Sequence, residues 1–170
     1  RILQSLGERQ ILVLTGLRRV GKTTLLYQAI DRLLGTVDAK RVLYFSFDEL
    51  AADAKEVLEI YEKQILKKPL EEAGKVYVFL DEIQYSHDWP SIVKRYYDLY
   101  PHVKFFLSGS SSLLLSKDAT EKLAGRYFFL ELRALAFLEF LEMKGIRGDI
   151  GDHPRRAETY FHDYLTKAGF

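Results

Sequence analysis

Five apolar runs of strand length recur along this chain, and between them lie stretches whose apolar residues repeat at helical spacing. That alternation restricts the fold more than any other feature. The runs are Gln10–Thr15, Arg41–Phe47, Val76–Leu80, Val103–Ser108 and Tyr127–Glu131. Most are nearly continuous in Val, Ile, Leu, Phe and Tyr, as strands buried on both faces of a parallel sheet require. Leu25, Leu26, Ala29, Ile30, Leu33 and Leu34 form one helical stripe, with Gly35 placed to end it. Val57, Leu58, Tyr61, Ile65 and Leu66 form a second, stopped by Pro69. Trp89, Ile92, Val93, Tyr96, Tyr97 and Tyr100 form a third, stopped by Pro101. The expected fold is α/β: a five-stranded, mostly parallel sheet sandwiched by helices.

Between the first run and the first helical stripe stands TGLRRVGKTT, residues 15–24. Gly16-x-x-x-x-Gly21-Lys22-Thr23 fits the pattern GxxxxGK[ST], and the strand before it and helix after it are the context that pattern needs. A loop that wraps a phosphate must bring several backbone N–H groups close, at dihedrals open mainly to glycine. The following helix presents its positive N-terminus to the anion. Lys22 reaches the outer phosphates as a point charge, and the Thr23 hydroxyl suits Mg²⁺. The expected nucleotide-binding stretch is Gly16, Leu17, Arg18, Arg19, Val20, Gly21, Lys22, Thr23 and Thr24.

Such a loop works with an acid at the end of another strand. Two pairs qualify, Asp81-Glu82 after VYVFL and Asp48-Glu49 after LYFSF. The first follows an unbroken apolar run. The second follows a strand that carries Ser46 and comes directly after the loop's helix, so Asp81 is the expected metal residue beside Thr23. Glu82 then activates water, since its longer carboxylate suits a water rather than the metal. Ser108 ends the fourth run. It is placed to sense a γ-phosphate, and an alternative is a plain strand end followed by a helix capped by Ser110 or Ser111.

Composition excludes several classes. The 170 residues suffice for one domain with a core. A net charge of +1 provides no global field for nucleic acid. There is no cysteine, hence no disulfide or thiolate site. No apolar run approaches the roughly 20 residues of a membrane span, so no membrane partner is expected and a cytoplasmic setting is the default. The four histidines show no metal spacing. Guanine-specific sites usually carry Asn-Lys-x-Asp, and the chain has no asparagine, so the expected ligands are ATP and Mg²⁺. Ile2, Leu3 and Leu6 are adenine-pocket candidates by position only. Tyr85, His87, Trp89 and Lys94-Arg95-Tyr96-Tyr97 mix aromatic and basic residues, a pattern that more often marks half core and half solvated helix than a base-stacking surface.

Taken in order, GLRRVGKTTLL, VFLDEIQ, FFLSGSSSLLL and AGRYFFLELRALAFLEFL resemble the archaeal-type ATPases of the AAA+/STAND neighbourhood. The double arginine, Gln84 and Trp89 are typical of that group. The resemblance implies ATP binding and Mg²⁺-dependent hydrolysis that moves a C-terminal part, with a slow-turnover signalling switch or an ATP-fuelled DNA-handling module as alternatives. It implies a further C-terminal domain, winged-helix or nuclease-like, so residues 1–145 are expected to form the ATPase domain and 146–170 a loop and the start of a lid or C-terminal region. Lys144–Arg156 reads as a loop and Ala157–Leu165 as a helix. A second copy of the chain is a further expected partner, and nucleic acid is left open. Gly125-Arg126 matches the family's Gly-Arg. Arg126 is expected to stabilise transition-state charge, in cis or from a neighbour, against the alternative of a surface residue at a strand start. Ala134-Leu135-Ala136-Phe137 departs from the family's Pro-Leu-Ser-Phe-like stretch. For Arg18 and Arg19, packing, nucleotide contact and subunit contact remain open.

Overall fold

The computed structural model describes residues 4–110, 113, 117–146 and 154–168. The five apolar runs become β1 (Ile11–Gly16), β2 (Val42–Ser46), β3 (Val76–Asp81), β4 (Val103–Gly109) and β5 (Tyr127–Leu132). They form one sheet in the order β2-β3-β4-β1-β5. Each adjacent pair is parallel, so the described sheet is wholly rather than mostly parallel.

Alternation along the strands explains the two cores. Ile11 and Val13, Val76, Val78 and Leu80, and Val103, Phe105 and Leu107 face one side. There they meet Val57 and Leu58 of α2 (Ala54–Ile60), Val93 and Tyr97 of α3 (Trp89–Leu99), and Ala119 and Leu123 in and after α4 (Lys117–Lys122). Leu12, Leu14, Tyr77, Phe79 and Phe106 face the other side, against Leu26, Ala29 and Leu33 of α1 (Lys22–Leu34). The last three sit at i, i+3 and i+7, one stripe of a helix. Burying each of these leucines contributes roughly 1.5–3 kcal/mol. Phe79 and Phe106 stack across neighbouring strands, ring centroids 4.4 Å apart. Trp89 and Tyr97 belong to the core while Tyr85 is exposed, so the aromatic run after the acidic pair is chiefly packing. After α2 the chain continues as a π-helical segment, Tyr61–Leu66, and ends at Lys67, before Pro69.

By its contacts the chain divides into two compact units, residues 1–16 with 21–132, and residues 17–20 with 133–170. The second unit holds α5 (Phe137–Met143) and α6 (Pro154–Asp163), the latter running on as a π-helical turn, Tyr164–Ala168. The expected loop therefore closes earlier, at Pro154; its residues 147–153 lie outside those described. Ala136, at the start of α5, has no side-chain oxygen with which to cap it, and the Glu139 carboxylate accepts from the Ala136 N–H instead, at 2.8 Å. Phe137 packs on Phe161 and Tyr164, and the Tyr164 hydroxyl donates to Leu135 O at 2.8 Å. Among the described residues, no helix is long and apolar enough to cross a membrane.

Candidate nucleotide site

Because all strands run the same way, Gly16, Ser46, Asp81 and Gly109 end at one edge of the sheet. The registers place Ser46 beside Asp81, Leu14 beside Ser108 and Thr15 beside Gly109. Ligands of open α/β sheets bind at such a carboxyl edge. Gly21 caps α1 with φ 95 and ψ 20, a left-handed conformation that favours glycine. It leaves the first N–H groups of the helix unpaired by the helix itself, beside the side chains of Lys22 and Thr23. Thr24, the next residue, is exposed.

Lys22 is buried. Its ammonium donates to Gly16 O at 3.3 Å and lies 3.6 Å from Glu82 Oε1. The Thr23 hydroxyl donates to Asp81 Oδ2 at 2.7 Å. Asp81 is 1% exposed and also accepts from the Tyr44 hydroxyl at 3.1 Å, from the Glu82 N–H at 3.2 Å and from the Ser108 hydroxyl. Asp48, the rival acid, is exposed in the segment after β2.

Glu82 takes a left-handed backbone, φ 50 and ψ 45. For a non-glycine residue that costs about 1–2 kcal/mol, offset here by its N–H bonding to Asp81 and Ser108. In this conformation the Glu82 carboxylate lies 3.6 Å from the Lys22 ammonium. Its second oxygen, Oε2, accepts from Gln84 Nε2 at 2.6 Å. Tyr44 accepts from Tyr27 at 3.2 Å while donating to Asp81. Burial first, then the bond from Tyr27 and the Asp81 charge, raise the Tyr44 pKa well above the usual phenol value. The hydroxyl therefore stays a donor at any working pH.

The first unit thus brings together Gly16, Gly21, Lys22, Thr23, Asp81, Glu82 and Ser108. Leu17, Arg18, Arg19 and Val20 group with the second unit, and Arg19 carries a left-handed φ of 66°. Three of the expected site residues have other partners in the structure. Ser108, expected to sense a γ-phosphate, is fully buried, and its hydroxyl donates to Asp81 and accepts from the Glu82 N–H. Arg126 precedes β5, where its carbonyl accepts from Ile11 N, at the amino edge of the sheet. Six residues of strand, about 20 Å at the usual rise, separate that edge from Gly16. Arg126 instead forms a two-pronged pair with Asp98, at 2.9 and 3.1 Å. It is a partly exposed residue at a strand start, paired with an acid of α3. Leu6, a positional candidate for the adenine pocket, packs partly buried against the core on the α1 side, and its carbonyl accepts from Lys75 ahead of β3; Ile2 and Leu3 lie outside the described residues.

Sequence reasoning did not assign roles to Tyr44 and Gln84. Tyr44 reads as one more aromatic in a strand, and only the β2–β3 register brings it to Asp81. Gln84 stood out for its spacing after Glu82, but spacing does not reveal a hydrogen bond.

Among the described residues, no group of three or more His, Asp or Glu side chains stands close enough to hold a metal alone. One carboxylate bonded to one hydroxyl is the donor set of a magnesium ion that takes its remaining oxygens from phosphate and water. The Thr23–Asp81 pair fits it.

A parallel sheet in this order, with a glycine-capped helix after the first strand and an acid ending the third, defines a P-loop nucleotide-binding fold. Residues 8–141 match the AAA domain family, and the chain belongs to it as an archaeal-type P-loop ATPase domain. An uncharacterized protein of Haemophilus influenzae is 28% identical over 94% of this chain, and one of Methanocaldococcus jannaschii is 35% identical over 79%. The chain spans only 39% and 28% of their lengths. Among solved structures, Cdc6p of Pyrobaculum aerophilum superposes with a TM-score of 0.61 at 12% identity, covering 83% of this chain and 44% of that one. The Orc1 protein of Aeropyrum pernix, solved in complex with DNA, gives 0.60 at 16% identity, covering 85% and 47%. These likenesses are of fold.

Proposed function

We propose that this domain binds ATP with magnesium and hydrolyses it. The observation that carries the reading is the 2.7 Å bond from Thr23 to Asp81, formed directly beside Lys22 at the start of α1. Magnesium held by Thr23, Asp81 and phosphate oxygens would supply charge neutralisation on the outer phosphates. Lys22 and the backbone N–H groups of the loop hold those phosphates. Ser108 and Tyr44 keep Asp81 turned toward Thr23. Glu82 takes a proton from the attacking water as its oxygen bonds to the γ-phosphorus and the bond to the ADP oxygen breaks. Catalysis of this kind is mainly positional and electrostatic. The ATP state would be passed to a C-terminal part of the protein, as the family resemblance implies.

The test is thermal unfolding with Mg-ATP and with Mg-GTP, for wild type and Lys22→Ala. A ligand at about a hundred times its Kd adds about 2.7 kcal/mol, or roughly 5–10 °C for a domain of this size. The expected shift appears with ATP, is smaller with GTP and is lost in Lys22→Ala. Cooperative unfolding with no shift would refute nucleotide binding.

A further inference from the structure

The Glu82 carboxylate is held from two sides by groups of different kind. Lys22, a cation, lies 3.6 Å from Oε1, and Gln84, a neutral amide, donates to Oε2 at 2.6 Å. The orientation of that amide is dictated by its partner, because turning it over would set its oxygen against a carboxylate. With Nε2 on Glu82, Oε1 must point the other way. It is buried there and finds no hydrogen-bond partner among the described residues. A buried acceptor without a partner costs roughly 1–3 kcal/mol, so the geometry needs a reason.

What makes room for that oxygen is visible at Gly109, the last residue of β4. A Cβ built on Gly109 would overlap Gln84 Oε1 and would come within 2.9 Å of Leu113 Cδ2. The absence of a side chain at 109 is what allows the amide to sit this close to the strand. Gly109 does not have one of the positive φ values that favour glycine. Close approach is therefore the demand this position meets.

We propose that Gln84 is a positioning residue for Glu82, seated against Gly109, and that Gln84 and Lys22 together clamp the carboxylate at rest. The proposal rests on the ATP-hydrolysis reading above. A triphosphate carries more negative charge than one carboxylate and competes for Lys22. The clamp then opens on the lysine side only. Gln84 is neutral and stays, so the freed Glu82 keeps its direction toward the attacking water. The Lys22–Glu82 pair couples release of the base to arrival of the phosphates, and Gln84 keeps release from becoming free rotation.

The experiment is a cycle of wild type, Gln84→Ala, Gly109→Ala and the double variant, each measured for ATP turnover, for ATP dissociation constant by titration and for thermal stability. Loss of orientation at a catalytic group costs about ten- to a hundredfold in rate. The expected result is a fall of that size in kcat for Gln84→Ala, with the dissociation constant within about twofold, since uniform binding is untouched. Gly109→Ala lowers kcat and stability in the wild-type background and has a smaller effect in the Gln84→Ala background, where the overlapping oxygen is gone and the contact with Leu113 at 2.9 Å is what remains. Wild-type turnover in Gln84→Ala overturns the proposal. So does affinity falling in step with rate, which marks general damage to the site. Equal losses from Gly109→Ala in both backgrounds overturn the seat. If wild type shows a Mg-ATP stability shift but no turnover, the hydrolysis reading falls, and the role given to Gln84 falls with it. Turnover in wild type that Gln84→Ala leaves intact refutes Gln84 alone.

Discussion

Lys104 is 2% exposed in the middle strand of the sheet. It lies on the α1 side, where its ammonium sits 5.2 Å from the Phe106 ring and donates to Gln10 O. Desolvation is the main influence on it and lowers its pKa from 10.5 to about 8, against a smaller upward pull from Glu8. Each pKa unit is about 1.4 kcal/mol, so holding the charge inside costs on the order of 3 kcal/mol. The sign follows from proton binding. Between pH 8 and 10.5 the unfolded chain keeps the proton and the folded chain has released it, so stability from this group rises with pH across that window. Below pH 8 the full penalty is present. Lys104→Met keeps the packing and removes the penalty, and it also leaves Gln10 O without its donor, a loss of about 1 kcal/mol. The variant is therefore expected to be about 2 kcal/mol more stable than wild type at pH 7 and about 1 kcal/mol less stable at pH 10.5. Urea unfolding at both pH values measures this, with midpoints compared at unchanged slope. The difference between the two proteins isolates Lys104 from the tyrosines and lysines that titrate nearby. A stability difference that stays constant with pH to within about 0.5 kcal/mol, the usual scatter for an inert surface change, would refute the reasoning.

Two further outcomes follow from the site. Tyr44→Phe removes one of the donors to Asp81 Oδ2. It should cost about 1 kcal/mol in urea unfolding, because the tyrosine is only partly buried. It should also weaken the magnesium-dependent part of nucleotide affinity by about tenfold, the size typical of groups that orient a ligand; titrations with and without magnesium separate the two, and unchanged values in both would dismiss Tyr44 as a positioning group. Gly21→Ala meets no atom within 4 Å of its new Cβ, so its effect is purely that of φ 95. It should destabilise by about 1–2 kcal/mol and abolish the ATP-dependent thermal shift; a variant that kept that shift would show the loop does not need this conformation.

Most of the fold was legible because the signals that specify it are local. The five strands lie within a residue of their apolar runs, and α1 and α3 carry the stripes that marked them. The glycine, lysine and threonine of the loop declare their chemistry by type and spacing. The choice between two acidic pairs was also open to a local argument, since an unbroken apolar run precedes Asp81 and a serine interrupts the run before Asp48. Of the aromatic cluster around Trp89, Trp89 and Tyr97 lie in the core, because their helical spacing puts them on the buried face of α3.

The sequence by itself thus determined the class of sheet, the order of its elements and the residues of the phosphate loop. Tertiary structure decided what those residues meet. Strand order and direction place Ser46, Asp81 and Gly109 at one edge and Arg126 at the other, and no local pattern records that separation. The β2–β3 register brings Tyr44 to Asp81 across 37 residues. The absence of a side chain at Gly109 makes room for Gln84. Such contacts depend on which strands become neighbours, and that is set by the burial of both sheet faces together, a property of the whole chain rather than of any stretch of it.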